Sequence, residues 1–272
     1  MNNNSVYQQL RGHLAYLGLT AAAEELPGHL DRARQHNTGH TQFLEALLRV
    51  EVETTEQRRW ATRLKLANFP TRWKLEDFDF AAQPSINEKL IRELATGAYL
   101  ADATNVLFIG PPGVGKTMLA VILGRAAVDT GHKVYYTTAA DLAARCRKAA
   151  LQGKWARTMR FFNTPKVLII DELGYLPMPT EDAATLFQVI SRRYRKGSII
   201  LTTNLGVASW GEIFSDHTIA AAMLDRLLHK SVVFTITGDS YRLRTYQAQA
   251  RKQRPKGNPT NLKPLTQSGE FR

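Results

Sequence analysis

The residues Gly110-Pro-Pro-Gly-Val-Gly-Lys116-Thr117 fit the spacing G-x-x-x-x-G-K-[S/T]. Residue types in that order suit the holding of a polyphosphate. A glycine-rich loop that opens a helix turns successive backbone N–H groups toward an anion, and the helix dipole adds to the attraction. Lys116 can then reach the β- and γ-phosphates, and the Thr117 hydroxyl can join the shell of a Mg²⁺ ion. The flanks agree, since Asn105-Val-Leu-Phe-Ile109 reads as a short buried strand and Met118 through Ala127 as a helix. A Gly-Pro-rich turn can match the spacing by accident, but the full motif in this context argues against it. Gly110, Pro111, Pro112, Gly113, Val114, Gly115, Lys116, Thr117 and Met118 are therefore the expected contacts of a nucleoside triphosphate.

A second apolar run, Lys166-Val-Leu-Ile-Ile, ends in Asp171-Glu172. Beside a phosphate loop, a carboxylate ending such a strand suits the Mg²⁺ shell, which assigns Asp171. The next carboxylate, Glu172, can polarise a water for in-line attack on the γ-phosphate. One strand further on, Ser198-Ile-Ile-Leu-Thr-Thr203 ends in Asn204, a side chain that could orient that water or sense the phosphate. Asn also favours turns for its own backbone reasons, so its weight here comes from its place in the series. No N-K-x-D pattern follows Asn204, which argues against a GTPase. The Asp-Glu pair implies water as acceptor, which argues against a small-molecule kinase.

The elements that must position these groups are legible as alternating strands and helices. Strands are expected near 105–110, 133–138, 166–171, 198–203 and 232–237, with helices between them. That pattern predicts an α/β fold with a five-stranded parallel sheet covered on both faces. A helix is expected from about Ser85 to Leu100. Residues 1–66 look all-helical: Leu10, Leu14, Leu17 and Leu19 begin one amphipathic pattern, and Phe43, Leu44, Leu47, Leu48 and Val52 repeat at helical spacing. Pro27-Gly28 is expected to break the first of these regions, and Asn37-Thr-Gly-His40 marks a turn. The expected division is a helical domain at 1–66 for docking a partner or DNA, a linker at 67–80, an ATPase domain at 81–246 and a basic, disordered tail at 247–272.

Composition narrows the setting. The chain has 272 residues, 44% of them hydrophobic, enough for one full α/β core and a small second domain. No apolar run approaches the ~20 residues of a membrane span, and Met1-Asn-Asn-Asn-Ser shows no secretory signal. Cys146 is the single cysteine, so no intrachain disulfide can form, and a cytoplasmic location is expected. The seven His are scattered without ligand spacing, and no zinc site is inferred. The formal charge is +12, and it is concentrated: residues 141–166 carry seven positive and one negative side chain, and residues 221–272 ten and three. Two such blocks suggest a polyanion partner, most simply nucleic acid, although solvated basic faces also occur.

The order phosphate loop, Asp-Glu, Thr-Thr-Asn resembles AAA+ ATPases of the initiator and helicase-loader group. Leu64-Lys-Leu-Ala-Asn-Phe-Pro70, Leu75-Glu-Asp-Phe-Asp-Phe80, Val134-Tyr-Tyr-Thr-Thr-Ala-Ala-Asp-Leu142, Leu168-Ile-Ile-Asp-Glu-Leu-Gly-Tyr-Leu-Pro177 and Asp239-Ser-Tyr-Arg-Leu-Arg244 are more specific. They are similar to the IstB family of transposition helper ATPases, relatives of DnaC-type helicase loaders. The resemblance implies an AAA+ fold without a C-terminal lid, and little chain follows Val232-Val-Phe-Thr-Ile236 to build one. It implies that Arg226, in Ala221-Ala-Met-Leu-Asp-Arg-Leu-Leu-His-Lys230, reaches as an arginine finger into a neighbouring subunit's ATP. A surface arginine paired with a nearby Asp is the plainer reading of the same residue. It also implies that Asp141 to Asn163 faces DNA through Arg145, Arg147, Lys148, Lys154, Arg157 and Arg160. The expected partners are double-stranded DNA, further copies of the chain with ATP at their interfaces, and a cognate transposase, with no membrane. A replicative helicase loader is the alternative, and an ATP-binding scaffold without turnover a third.

Overall fold

The computed structural model describes residues 3–175, 178–214 and 216–241. Three helices open the chain: α1 (Asn3–Tyr16), α2 (Thr20–Gln35) and α3 (His40–Leu66). They share a small core of Leu14, Ala22, Ala23, Leu26 and Leu47. Leu19, at the head of α2, supplies no capping side chain. Buried Glu51 of α3 takes that place, accepting the Ala22 N–H at 3.0 Å. A carboxylate there satisfies an orphan donor and favours the positive end of the helix.

Pro27 does not break α2, contrary to the sequence expectation; it lies inside the helix. An interior proline costs about 3 kcal/mol through its missing donor and ring clash. Burial of Ala22, Ala23 and Leu26 in the turns before it offsets that cost.

The strands are β1 (Asn105–Ile109), β2 (Val134–Thr138), β3 (Val167–Leu173), β4 (Ser198–Thr203) and β5 (Ser231–Thr235). They form one parallel sheet in the order β2-β3-β4-β1-β5. Alternate residues feed two cores. Val106, Phe108, Ile169 and Ile200 pack on one face with α4 (Glu88–Ala95) and α5 (Lys116–Asp129). Leu107, Leu168, Ile170 and Leu201 pack on the other with α6 (Ala139–Leu151), α7 (Trp155–Asn163), α8 (Thr180–Arg193), α9 (Trp210–Phe214) and α10 (His217–Leu228). β1 and β4 are buried from end to end and β3 from Val167 to Asp171, which explains their unbroken apolar runs.

The helix expected over 85–100 is shorter, ending at Ala95. Asn87 caps its start by accepting the Leu90 N–H, and Gly97, in the left-handed region at φ 81°, stops it. A 3-10 turn at Ala98–Leu100 carries the chain into β1.

The end of α3 runs into the α/β core. Leu64 and Ala67 belong to the first sheet-face cluster, and Trp60 Nε1 donates to Asp129 Oδ1 of α5 at 2.7 Å. Ala67 O accepts from Tyr136 N of the edge strand β2, and Asn68 Nδ2 donates to Tyr136 O. Ala67 and Asn68, the first residues of the stretch read from sequence as a linker, thus pair backbone groups of Tyr136 on a sheet edge. On the far side, the fully buried guanidinium of Arg193 donates to the carbonyls of Phe162, Pro165, Lys166 and Ser198. It ties the end of α7 to the starts of β3 and β4, and burial pulls its pKa down to about 10.

β5 is the last strand among the described residues. The expected tail at 247–272 and the stretch 242–246 lie outside them. No helix among the described residues is long and apolar enough to cross a membrane.

Candidate functional site

The parallel arrangement brings three strand ends to one edge of the sheet. Ile109 pairs with Thr203, and Thr138 with Asp171, so the loop after β1, the carboxylates of β3 and Asn204 after β4 share a crevice. Crevices at the carboxyl ends of such strands are where α/β folds take ligands.

The loop from Gly110 to Gly115 is shaped from both sides. Gly113 and Gly115 adopt left-handed conformations at φ 83° and 100°. A Cβ would collide with Ser240 at Gly113, with the Phe78 ring at Gly115 and with the Ile236 carbonyl at Gly110. Glycine is therefore required three times over. Tyr241 N–H donates to Gly113 O at 3.0 Å, fastening the segment after β5 onto the loop. Lys116 opens α5, and its ammonium donates to Gly110 O at 2.7 Å and Pro111 O at 2.8 Å.

Asp171 is buried to 1% exposure and surrounded by hydroxyls. Its Oδ2 accepts from Tyr136 at 2.6 Å, and its Oδ1 accepts from Thr117 at 3.1 Å and from Thr202. Burial, then the hydrogen bond to Asp171, raises the Tyr136 pKa well above the usual phenol range, so the hydroxyl stays a donor. Thr117 and Asp171 offer adjacent oxygens, the donor type that Mg²⁺ prefers, and these two residues fit the ion.

Glu172 follows on a bulge of β3 and sits in the left-handed region at φ 61°. For a non-glycine residue that conformation costs on the order of 1–3 kcal/mol and is retained where the surroundings impose it. Its effect is to turn the Glu172 side chain outward, where it lines a cavity of about 370 Å³. Asn204 lines the same cavity, and its Oδ1 is buried without a partner among the described residues. Pro112 through Met118 form the floor. The opposite wall, which the sequence reading did not assign, is made by Trp73, Phe78, Gln83 and Tyr241. Polar groups at one end and aromatic rings at the other suit a nucleotide, with phosphates over Lys116 and a base among the rings. The volume is within the ~300–1,000 Å³ usual for such ligands.

The six basic residues assigned to DNA lie on α6, α7 and the turn between them, but in different states. Arg145 sits 3.8 Å from the Phe161 ring centroid and donates to the Tyr135 hydroxyl at 3.0 Å. Arg147 is ion-paired with Asp182 of α8. Lys154 donates to Gln152 at 3.1 Å. All six are exposed. Arg226, on α10, is not among the described residues that line the cavity. Its guanidinium lies 4.8 Å from the Phe187 ring centroid and donates to Ala222 O at 2.9 Å.

Residues 12–249 match the model of the IstB-like ATP binding protein family. The chain belongs to that family. It is 45% identical over 238 residues to a Geobacillus stearothermophilus protein named for insertion sequence IS5376 and for ATP binding, covering 88% of this chain and 95% of the relative. A Pseudomonas aeruginosa protein named in the same way for IS21 is 46% identical over 215 residues, covering 79% and 81%. Among solved structures, the AMPPCP-bound DnaA of Aquifex aeolicus aligns with a TM-score of 0.54 at 18% identity. The alignment covers 68% of this chain and 56% of DnaA. DnaI aligns with a TM-score of 0.52 at 15% identity, covering 61% and 92%. These likenesses place the IstB-like chain in the AAA+ fold.

Within that fold, Trp73, Phe78 and Gln83 reach the site from a segment read from sequence as a linker running into the Phe-Asp-Phe motif. Phe78 stacks at a tilt on Phe80, 4.9 Å between centroids, in the Phe-Asp-Phe motif. That motif signalled the family without disclosing that one of its rings abuts the phosphate loop.

Proposed function

We propose that this IstB-like chain is an ATP-dependent DNA-binding helper of an insertion-sequence transposase. With ATP and Mg²⁺ bound it assembles with further copies on double-stranded target DNA, and hydrolysis resets the assembly. The observation that supports turnover is the outward-facing Glu172 beside buried Asp171 at the rim of the phosphate loop. A scaffold that only held ATP would have no use for a carboxylate kept in a costly backbone conformation over that cavity.

Each side chain has a part in the reaction. Loop N–H groups and Lys116 balance the charge of the β- and γ-phosphates, Lys116 exchanging its carbonyl partners for phosphate oxygens. Thr117 and Asp171 would hold Mg²⁺, which supplies further charge neutralisation when bound. Asn204 offers its Oδ1 to the attacking water as acceptor. Glu172 accepts that water's proton as the oxygen bonds to the γ-phosphorus and the bond to the β–γ bridging oxygen breaks, giving ADP and phosphate. Arg226 approaches from the neighbouring subunit.

Insertion-sequence names among the relatives favour a transposase over a replicative helicase as the client. The test is duplex binding by the full chain with ATP, ADP and a non-hydrolysable analogue, together with the Glu172→Gln variant. The reading predicts tight binding with ATP or the analogue and weak binding with ADP. It also predicts longer-lived complexes for the variant, which retains ATP. Equal affinity in all three nucleotide states would sink it.

A further inference from the structure

We propose that Thr202 is the positioning residue that aims the general base. This rests on the reading of the site as an ATPase and identifies what holds Glu172 where that reading needs it. In the β3–β4 register, Ile170 pairs with Leu201 and Leu173 with Thr203. Two residues of β3, Asp171 and Glu172, therefore stand opposite one residue of β4, Thr202. Such a bulge re-aims a side chain, and in a parallel pair it is rare.

Thr202 closes the bulge with a single hydroxyl used in both directions. Its Oγ1 accepts the Glu172 N–H at 2.9 Å and donates to Asp171 Oδ1. The first bond fixes the peptide that carries Glu172 in its left-handed conformation. The second ties that peptide to the carboxylate assigned to the metal. The hydroxyl is buried, with Thr202 exposed to only 1%, so water does not replace it readily. Thr202 itself is placed by the central strand β1, where it pairs with Phe108. The base is thus registered against both the sheet and Asp171, and its carboxylate is directed into the cavity before any ligand arrives.

The chemistry required of position 202 is narrow: an oxygen that can donate and accept at once, on a side chain small enough for a buried strand. Valine matches the shape and lacks the oxygen. Serine retains the oxygen and loses a methyl group. With valine the Glu172 peptide loses its anchor and leaves the left-handed region, so the carboxylate no longer faces the attacking water. Lys116 keeps its carbonyl partners, and Asp171 keeps its hydrogen bonds from Tyr136 and Thr117.

The test compares wild type, Thr202→Val, Thr202→Ser, Glu172→Gln and the double variant Thr202→Val/Glu172→Gln as full chains. Affinity for a fluorescent ATP analogue with Mg²⁺ is measured alongside single-turnover ATP hydrolysis. Thr202→Val should bind nucleotide close to the wild-type affinity while its hydrolysis rate falls by about a hundredfold, the lower range of a misplaced general base. Thr202→Ser should recover most of that rate. In the Glu172→Gln background, Thr202→Val should remove little more, since both changes disable one base. The inference is overturned if Thr202→Val hydrolyses at the wild-type rate, if affinity falls in step with the rate, if serine fails to rescue, or if the double variant multiplies the two losses. A wild type that binds ATP yet never turns it over, with DNA or without, would instead overturn the ATPase reading itself.

Discussion

Tyr136 and Asp171 are joined by a buried 2.6 Å hydrogen bond that crosses from the edge strand of the sheet to its neighbour. It makes an aromatic residue of β2 part of the nucleotide site although the Tyr136 ring lies in the apolar core behind it. The bond also connects two ends of the molecule. The backbone of the same tyrosine is gripped by Ala67 and Asn68, at the end of the long helix α3.

Replacing Tyr136 by phenylalanine leaves the ring and removes the donor from a buried carboxylate. Hydrogen bonds to charged groups contribute roughly 1.5–3 kcal/mol, and Asp171 keeps its bonds from Thr117 and Thr202. The variant should lose about 1.5 kcal/mol of stability in urea unfolding without nucleotide, with an unchanged slope. An unaltered midpoint would mean that the hydroxyl contributes nothing to the folded state.

Much of this site was legible because it lies at the ends of strands buried on both faces, whose apolar runs are continuous. All five strands fall within two residues of their expected positions; Pro112–Thr117, Glu172 and Asn204 line one cavity, and Asp171 is bonded to Thr117. What escaped detection depends on partners distant in sequence. The bulge at Glu172 exists only against Thr202, 30 residues away. The aromatic wall needs Trp73 and Phe78 brought beside a loop whose conformation is itself set by Ser240 and Tyr241. Pro27 misled for the opposite reason, since a strong local breaking signal was overridden by tertiary burial.

The six basic residues of the α6–α7 segment should not behave alike. All six are exposed, but Arg145 is also engaged by Phe161 and Tyr135. If the segment meets duplex DNA, Arg157→Ala/Arg160→Ala should flatten the dependence of log affinity on log salt by roughly two and weaken all sequences alike. Arg145→Ala should instead cost about 0.5–1 kcal/mol of fold stability through its lost ring contact. A salt slope untouched by the double substitution moves the DNA contact to another part of the chain.

Cys146 faces the core between α6 and the sheet, fully buried, and burial pushes its thiol pKa up to about 11. Only the thiolate reacts with alkylating and disulfide reagents, so at pH 8 the native chain should be inert to both. The thiol should become reactive only as the chain unfolds, following the same denaturant midpoint as circular dichroism. Rapid labelling of the native protein would show that α6 opens without global unfolding.

Arg226 carries the most exacting prediction, because its place in one chain does not explain a catalytic role there. Its guanidinium rests on Phe187 and the Ala222 carbonyl, away from the described residues that line its own cavity. Among the described residues that line the cavity Lys116 is the single lysine or arginine, so none of them offers a planar cation for charge spreading over the γ-phosphoryl oxygens. A guanidinium from a neighbour can supply it, and where measured such fingers contribute on the order of 10³–10⁵ in rate. Arg226→Ala should therefore bind ATP nearly as well as wild type and hydrolyse it at least about a thousandfold more slowly. Lys116→Ala should fail to bind ATP while retaining a usable Arg226. Mixing the two inactive variants on DNA should restore part of the hydrolysis, since some interfaces then pair an intact loop with an intact finger. Should the two variants co-assemble and the mixture still remain inactive, Arg226 does not act across the interface, and its contact with Phe187 is simply how α10 packs on α8.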